Sequence, residues 1–267
     1  MYSYYFENIS FMRKIDENPS KIEFDRHTHN EYEILCFFEG DANYNVEGKI
    51  SHLQPNDVVI IPIGAFHNLS LRSDAKYDRL ILYFNRDILP STVMDKFDKL
   101  PCVINTTEYS RIANIFNRIN YYCTVYPDQD VEILVENLLK ELIINLTHIA
   151  DNLNYKHEYN AIVGKIIQYV NDHVREKIEL EDIANYLYLS KSHIQNLFCS
   201  YMGIGLKSYI ISKKVYQAQQ LINSGIKAGD ACDMCGFNDY SSFYRAYRRV
   251  LGITPTASNL YKTYQKK

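Results

Sequence analysis

The sequence predicts a two-domain α+β protein: an all-β sandwich or barrel with following helices, then an all-α domain. Three observations predict it. Short β-rich runs fill the first hundred residues, the apolar period then changes to that of helices, and the last hundred residues contain an internal repeat. A chain of 267 residues is long enough for two domains of ordinary size. Residues 1–105 are assigned to the barrel, 106–156 to a helical dimerisation and linker region, and 157–267 to the second domain.

The β-rich runs are EYEILCFF (31–38), ANYNV (42–46), KISHL (49–53), DVVIIP (57–62), HNLSLR (67–72) and YDRLILYF (77–84). Turn residues separate them at Glu39-Gly40-Asp41, Glu47-Gly48-Lys49, Gln54-Pro55-Asn56-Asp57 and Pro62-Ile63-Gly64. Many short strands at this spacing point to a sandwich or barrel. Helical periodicity follows over 108–123 and 130–153. In the second stretch Val131, Val135, Leu138, Leu142, Asn145 and Ile149 recur in steps of four and three. Such a heptad-like seam packs a helix on its own domain or joins two copies; a homodimer through 130–153, with Leu138 and Leu142 central, is the sharper expectation. The polar stretch 154–160 reads as a linker.

The repeat carries the second domain. HIQNLFCSYMGI (193–204) aligns with SFYRAYRRVLGI (242–253), pairing Ile194 with Phe243, Phe198 with Tyr247 and Tyr201 with Val250. Each helix ends at a glycine suited to a left-handed C-cap, Gly203 or Gly252. Ahead of each lies a shorter apolar stripe: Leu180, Ile183, Ala184 and Leu187 in one copy, Ala228, Ala231, Cys232 and Cys235 in the other. Ser190 and Asp239 are good N-caps for the longer helices. Helix, short turn and capped helix is the helix-turn-helix plan, present twice. The helix expected over 206–222 would separate the copies by about 25 Å. That suits successive major-groove segments, which lie roughly 34 Å apart on one face of B-DNA.

Charge divides along the same boundary. The formal net charge of −3 combines 15 Lys+Arg and 23 Asp+Glu in residues 1–156 with 14 and 9 in residues 157–267. Only the second domain is basic, so only it calls for a polyanion partner. No stretch resembles a signal peptide and no run of about 18 apolar residues could span a membrane. Six scattered cysteines read as reduced thiols, and a cytoplasmic location follows. The Cys232–Cys235 pair is a CxxC, a spacing open to redox or zinc chemistry. Both positions match core positions of the first copy, however, so burial is the favoured reading.

LSKSHIQNLF, GIGLKSYI and CGFNDYSSFYRAYRRVLGITP together resemble the DNA-binding domain of the AraC/XylS transcription regulators. The resemblance covers about 100 residues. Lys214 stands where that family usually has Arg, and Ser258-Asn259 replace the usual Tyr-Arg. With the apolar stripes turned inward, the early outward positions of the longer helices are Lys191, Ser192, Gln195 and Asn196 in the first copy and Tyr240, Ser241, Tyr244 and Arg245 in the second. Gln and Asn can pair with adenine and Arg with guanine. Arg248 and Arg249 lie further along and suit phosphate. The resemblance implies a ligand-responsive regulator of double-stranded DNA, an activator partnered by RNA polymerase, with a sugar as the common effector.

In the first domain, HTHNEYE (27–33) and PIGAFH (62–67) are similar to the two cupin motifs, with Asn56 in place of a usual Gly and Leu71 in place of a usual Asn. In a strand, residues 27, 29, 31 and 33 share a face. His27, His29 and Glu33, joined by His67 from a later strand, are expected to line the interior of a cupin-like barrel and to serve binding of a small polar effector or internal hydrogen bonding, not catalysis. In metal-binding cupins those four positions are ligands. A metalloenzyme or metal sensor tethered to DNA is the alternative to a sensor that is not an enzyme and carries no cofactor.

Overall fold

The computed structural model describes residues 1–19, 27–152 and 161–256. The chain forms two compact units, Met1–His157 and Glu158–Lys267. The expected linker 154–160 and the departure at Ser258-Asn259 lie outside the described residues.

Among the described residues of the first unit, nine strands form two antiparallel sheets. The strands are β1 Tyr2–Tyr5, β2 Ile9–Asp16, β3 Tyr32–Glu39, β4 Ala42–Val46, β5 Lys49–His52, β6 Asp57–Ile61, β7 His67–Leu71, β8 Tyr77–Phe84 and β9 Val103–Asn105. One sheet has the order β1-β2-β8-β3-β6-β9 and the other β5-β4-β7. Among the described residues these are two sheets, not one closed cylinder. The sequence did not single out β1, β2 or β9.

The runs around β3 and β6 are continuously apolar because both their faces are buried. Ile34, Cys36, Val58 and Ile60 enter a core shared with the helices. Leu35, Phe37, Val59 and Ile61 enter a second core with Tyr44, Val46 and Leu71 from the smaller sheet. Glu33 has the parity of Leu35 and Phe37, which directs it toward the smaller sheet.

Turn chemistry fixes the register. β4 and β5 are joined by Glu47 (φ 52°) and Gly48 (φ 83°), the pair of positive φ values that a two-residue hairpin of matching twist demands. Asn56 takes φ 70°. Asn is among the few side chains at ease in the left-handed region, which accounts for its standing where the family usually has Gly.

The described residues of the unit also form the α-helices α1 Ser91–Phe97, α2 Ser110–Val125 and α3 Asp128–Asn152. Here the structure corrects an expectation. Val131, Val135, Leu138, Leu142 and Ile149 are all buried in the core that α2, α3 and the larger sheet share. The seam therefore packs on its own domain, and Leu138 and Leu142 cannot be central to a dimer contact.

The second unit contains α4 Ala161–Asp172, α5 Leu180–Leu187, α6 Lys191–Met202, α7 Leu206–Asn223, α8 Ala228–Met234 and α9 Tyr240–Leu251. Ser190 accepts from the His193 backbone N–H at 3.3 Å and Asp239 from that of Ser242 at 2.8 Å. Gly203 (φ 66°) and Gly252 (φ 73°) close their helices in the left-handed conformation. The buried stripe of α6 is Ile194, Phe198 and Met202; Tyr201, expected on that face, is exposed. Cys232 and Cys235 are buried free thiols. They pack with Phe243 and Tyr247, and Phe237 stacks edge-on against Phe243. Aromatic rings thus supply the volume that Ala and Cys leave unfilled.

Lys214, at 5 % exposure, lies inside this unit. Its Nζ donates to the carbonyl oxygens of Glu176 at 2.6 Å and Gly236 at 2.9 Å. Burial pulls its pKa below the usual lysine value. A cation satisfied by two carbonyls ties the segment before α5 to the turn after α8, so the two helix-turn-helix units are held to each other through α7. No helix among the described residues is long and apolar enough to cross a membrane.

Candidate functional site

The second unit offers a polar surface on both longer helices. Lys191, Ser192, Gln195 and Asn196 are exposed on α6; Tyr240, Ser241, Arg245, Arg248 and Arg249 are exposed on α9, with Tyr244 half-buried. Each set occupies the turns left free by the buried stripe. The two sets differ in charge. The Lys191 ammonium is ion-paired with Glu181, so α6 presents mainly neutral amide and hydroxyl groups. On α9 the Arg245 guanidinium hydrogen-bonds the Ser242 hydroxyl at 3.4 Å, and Arg248 and Arg249 follow one turn on. A cleft of about 900 Å³ is lined by Lys177, Lys191, Lys207, Lys214, Arg245 and Arg249 together with Glu179 and Glu181. Lys177 and Lys207 escaped the reading of the recognition helices because neither lies on one; both were visible only as part of the basic balance of residues 157–267.

In the first unit three of the four expected residues converge. His29 Nε2 lies 2.9 Å from Glu33 Oε2, and His67 Nε2 lies 3.6 Å from the same oxygen. Ligand atoms of these three side chains all fall within 4.8 Å of one another. They arrive by a route other than the one expected. β3 starts only at Tyr32, and His27 makes an isolated bridge in which its backbone N–H and C=O pair with those of His67 at 3.0 Å. His27 itself is exposed, at the rim, with its ring 4.2 Å from that of His67. It lies outside the three-residue cluster.

The surroundings orient the cluster. His67 Nδ1 is 2.9 Å from the Ala65 carbonyl oxygen, and His29 Nδ1 is 2.9 Å from that of Glu31. A carbonyl oxygen only accepts, so each Nδ1 must carry a proton. Tyr44, on β4, donates its hydroxyl to Glu33 Oε1 at 3.2 Å and stacks its ring on that of His67. The Tyr83 ring stands edge-on to His29 at 5.4 Å. Sequence reading missed both tyrosines. The central place of Tyr44 in ANYNV, with the same parity as Ala42 and Val46, was the available signal.

Burial pushes the His67 imidazole down to about 4, so it is neutral at pH 7. Burial works against ionised Glu33, but the contact with His29 and the adjacent imidazoles outweigh it, and the carboxyl falls below its usual range. Burial also raises the Tyr44 and Tyr83 phenols, reinforced by the Glu33 charge. The result is one ionised carboxylate in an aromatic, largely dry setting, with the Tyr44 hydroxyl on one oxygen and imidazole nitrogens at the other.

Both halves of the chain are similar to known proteins. A family model described as an AraC-like ligand binding domain matches residues 12–120, and one described as a helix-turn-helix domain matches residues 183–259. A protein of Photobacterium leiognathi named "Probable transcriptional regulator LumQ" is 35% identical over 230 residues, covering 85% of this chain and 89% of its own length. The arabinose operon regulatory protein of Salmonella typhimurium is 22% identical over 236 residues, 84% of this chain and 82% of its own. Among solved structures, ToxT of Vibrio cholerae aligns over 97% of this chain and 100% of that chain, with 11% identity and a TM-score of 0.42.

Proposed function

The chain belongs to the AraC family of ligand-responsive, DNA-binding transcription regulators, and from that premise we propose that it is an activator switched by a small polar effector, with a sugar as the first class to test. In this reading residues 1–105 bind the effector, 106–156 form the helical connection, and 157–267 bind DNA, in the cytoplasm and with RNA polymerase as a partner. His27, His29, Glu33 and His67 serve the effector. Gln195 and Asn196 read bases in one half of the operator and Arg245 reads them in the other, flanked by Lys191, Ser192, Tyr240, Ser241 and Tyr244. Arg248 and Arg249 hold phosphate.

One observation carries the reading of the DNA-binding half. Two capped helices from repeated units present exposed hydrogen-bonding faces on a basic unit, joined by α7 and the buried Lys214. Phosphate neutralisation by the arginines supplies affinity that falls with salt, and base-edge contacts supply preference. An effector acts only by binding one presentation of these helices better than another. In this reading two copies associate through 130–153 by the outward face of α3, a proposal supported by the exposure of Ile133 (63%) and Ile144 (40%).

Selection of sites from random DNA, repeated with a panel of sugars and other polar metabolites, tests this function. His29→Ala is expected to abolish the response to an active compound while leaving specific DNA binding intact. Loss of sequence preference in folded wild-type protein would overturn the DNA assignment. Sedimentation showing a monomer at tens of micromolar, where weak interfaces already associate, would overturn the dimer.

A further inference from the structure

We infer that His29, Glu33 and His67 hold a divalent transition-metal ion, to which the effector of the proposed function is bound. The second clause rests on the reading of the first unit as a sensor; the first clause rests on the geometry alone. Both imidazoles donate Nδ1–H to a backbone carbonyl, of Glu31 and Ala65, at 2.9 Å. In neutral rings that leaves two Nε2 lone pairs aimed at one carboxylate oxygen, at 2.9 and 3.6 Å. His67 Nε2 is buried and has no hydrogen-bond partner. Lone pairs facing an anion repel unless something electropositive stands among them. A proton on His29 Nε2 would satisfy the 2.9 Å contact and still leave His67 without a partner. Protons on both rings would bury two cations on one carboxylate, which is costly. A single cation satisfies all three atoms at once.

The other features suit that occupant. Nδ1–H bonded to a backbone carbonyl is the support that ligating histidines usually have, since it fixes the tautomer and the ring. Tyr44 holds the second Glu33 oxygen and leaves the first for the ion. Ligands at about 2.1 Å from a common ion stand roughly 3–4.2 Å apart; the 2.9 and 3.6 Å to Glu33 are close to that span, and the 4.8 Å limit of the cluster lies a little outside it, so the side chains close in slightly on the ion. Two imidazoles and a carboxylate suit Mn²⁺, Fe²⁺, Ni²⁺ or Zn²⁺. Three protein ligands leave coordination positions open, and hydroxyl or carboxylate oxygens of a small polar effector fit them.

The test uses the full chain without a polyhistidine tag, stripped with chelator and dialysed against Mn²⁺, Co²⁺, Ni²⁺ or Zn²⁺. Elemental analysis is expected to give about one equivalent per chain, as for a single folded site. Glu33→Gln and His67→Ala are expected to lose at least nine-tenths of it, and Co²⁺-loaded protein to lose its visible ligand-field bands with them. His52→Ala, on the exposed edge strand β5, should retain the metal. Tyr44→Phe keeps all three ligands and should weaken affinity about ten- to hundredfold, which serves if the ligand variants do not fold. Less than a tenth of an equivalent in wild type, or equal retention in wild type, Glu33→Gln and Tyr44→Phe, would overturn the site. Specific DNA binding, measured on the same samples, separates the two readings. Metal-free protein that still binds its operator leaves the regulator standing without the ion. Metal-loaded protein whose DNA binding no panel compound alters keeps the ion and removes its link to the effector.

Discussion

The two helix-turn-helix units share one plan and solve it with different residues. The turn after the shorter helix needs a left-handed residue in both copies: Tyr188 at φ 55° in the first and Gly236 at φ 61° in the second. Tyr188 is 95% exposed, so its side chain has room and only the backbone is strained. Gly236 lies against the segment before α5, and a Cβ there would approach the Glu176 carbonyl carbon and oxygen to 2.5 Å. The same backbone geometry is thus a mild cost in one copy and an absolute requirement in the other, because only the second turn is where the two units are joined. The outward faces differ as well. α6 carries amides and a lysine already paired with Glu181, whereas the last turn of α9 carries Arg248 and Arg249.

Four measurements break or sharpen that contrast, from the largest expected effect to the smallest. Gly236→Ala should destabilise the second unit by about 3 kcal/mol or more, combining steric overlap with left-handed strain. Urea denaturation should show it, and specific DNA binding should be lost with it. A change below about 1 kcal/mol, the ordinary size for a point substitution, would show that the junction yields. Arg245→Ala should cost about 1–3 kcal/mol at the preferred site and relax base preference in one half. Gln195→Ala should do so in the other half, and Arg249→Ala should weaken all sequences alike. Unchanged preference in selected sites for Arg245→Ala would remove α9 as a base reader.

Glu181→Gln tests the charge difference between the faces. Releasing Lys191 should strengthen DNA binding about two- to threefold at low salt, the scale of an exposed ion pair, and steepen the salt dependence. Weaker binding would mean that the pair positions Lys191 instead of neutralising it. The smallest effect belongs to Tyr188→Gly. Relief of left-handed strain exceeds the added freedom of the unfolded chain, for a gain of about 0.5 kcal/mol. A loss of stability would show that the exposed ring makes contacts that the strain argument omits.

Much of the second unit was legible in the sequence. The repeat offset, the caps at Ser190 and Asp239 and the glycines at 203 and 252 are local signals, and local hydrogen bonding realises them directly. The core positions of Cys232 and Cys235 followed from alignment of the copies. Tyr201 was misplaced because steps of four and three and steps of four and four are nearly equivalent over three turns, and packing chose Met202.

The first unit was legible in its strands and less so in its site. Strands β4 and β8 fall where alternation and turns put them. The heptad-like seam of α3 fitted either a partner helix or the domain's own sheet, since an apolar stripe records that a face is covered but not by what. The motif spacing of His29, Glu33 and His67 pointed to a shared site, yet among the described residues no strand runs from His27 to Glu31, and His27 stands at the exposed rim.

By itself, then, the sequence determined what local chemistry can encode: period, caps, turn residues, the repeat and the charge division between the halves. Only the tertiary structure decided which groups meet across long separations. It set Tyr44 on Glu33, Lys214 between Glu176 and Gly236, and the α3 seam in its own domain's core. It also fixed the ring orientations of His29 and His67, since each depends on a carbonyl presented by the folded backbone. The contacts of Tyr44, Lys214 and the α3 seam arise from the packing of the cores, whereas the two carbonyls that orient the imidazoles lie only two residues away and depend on the backbone turning there.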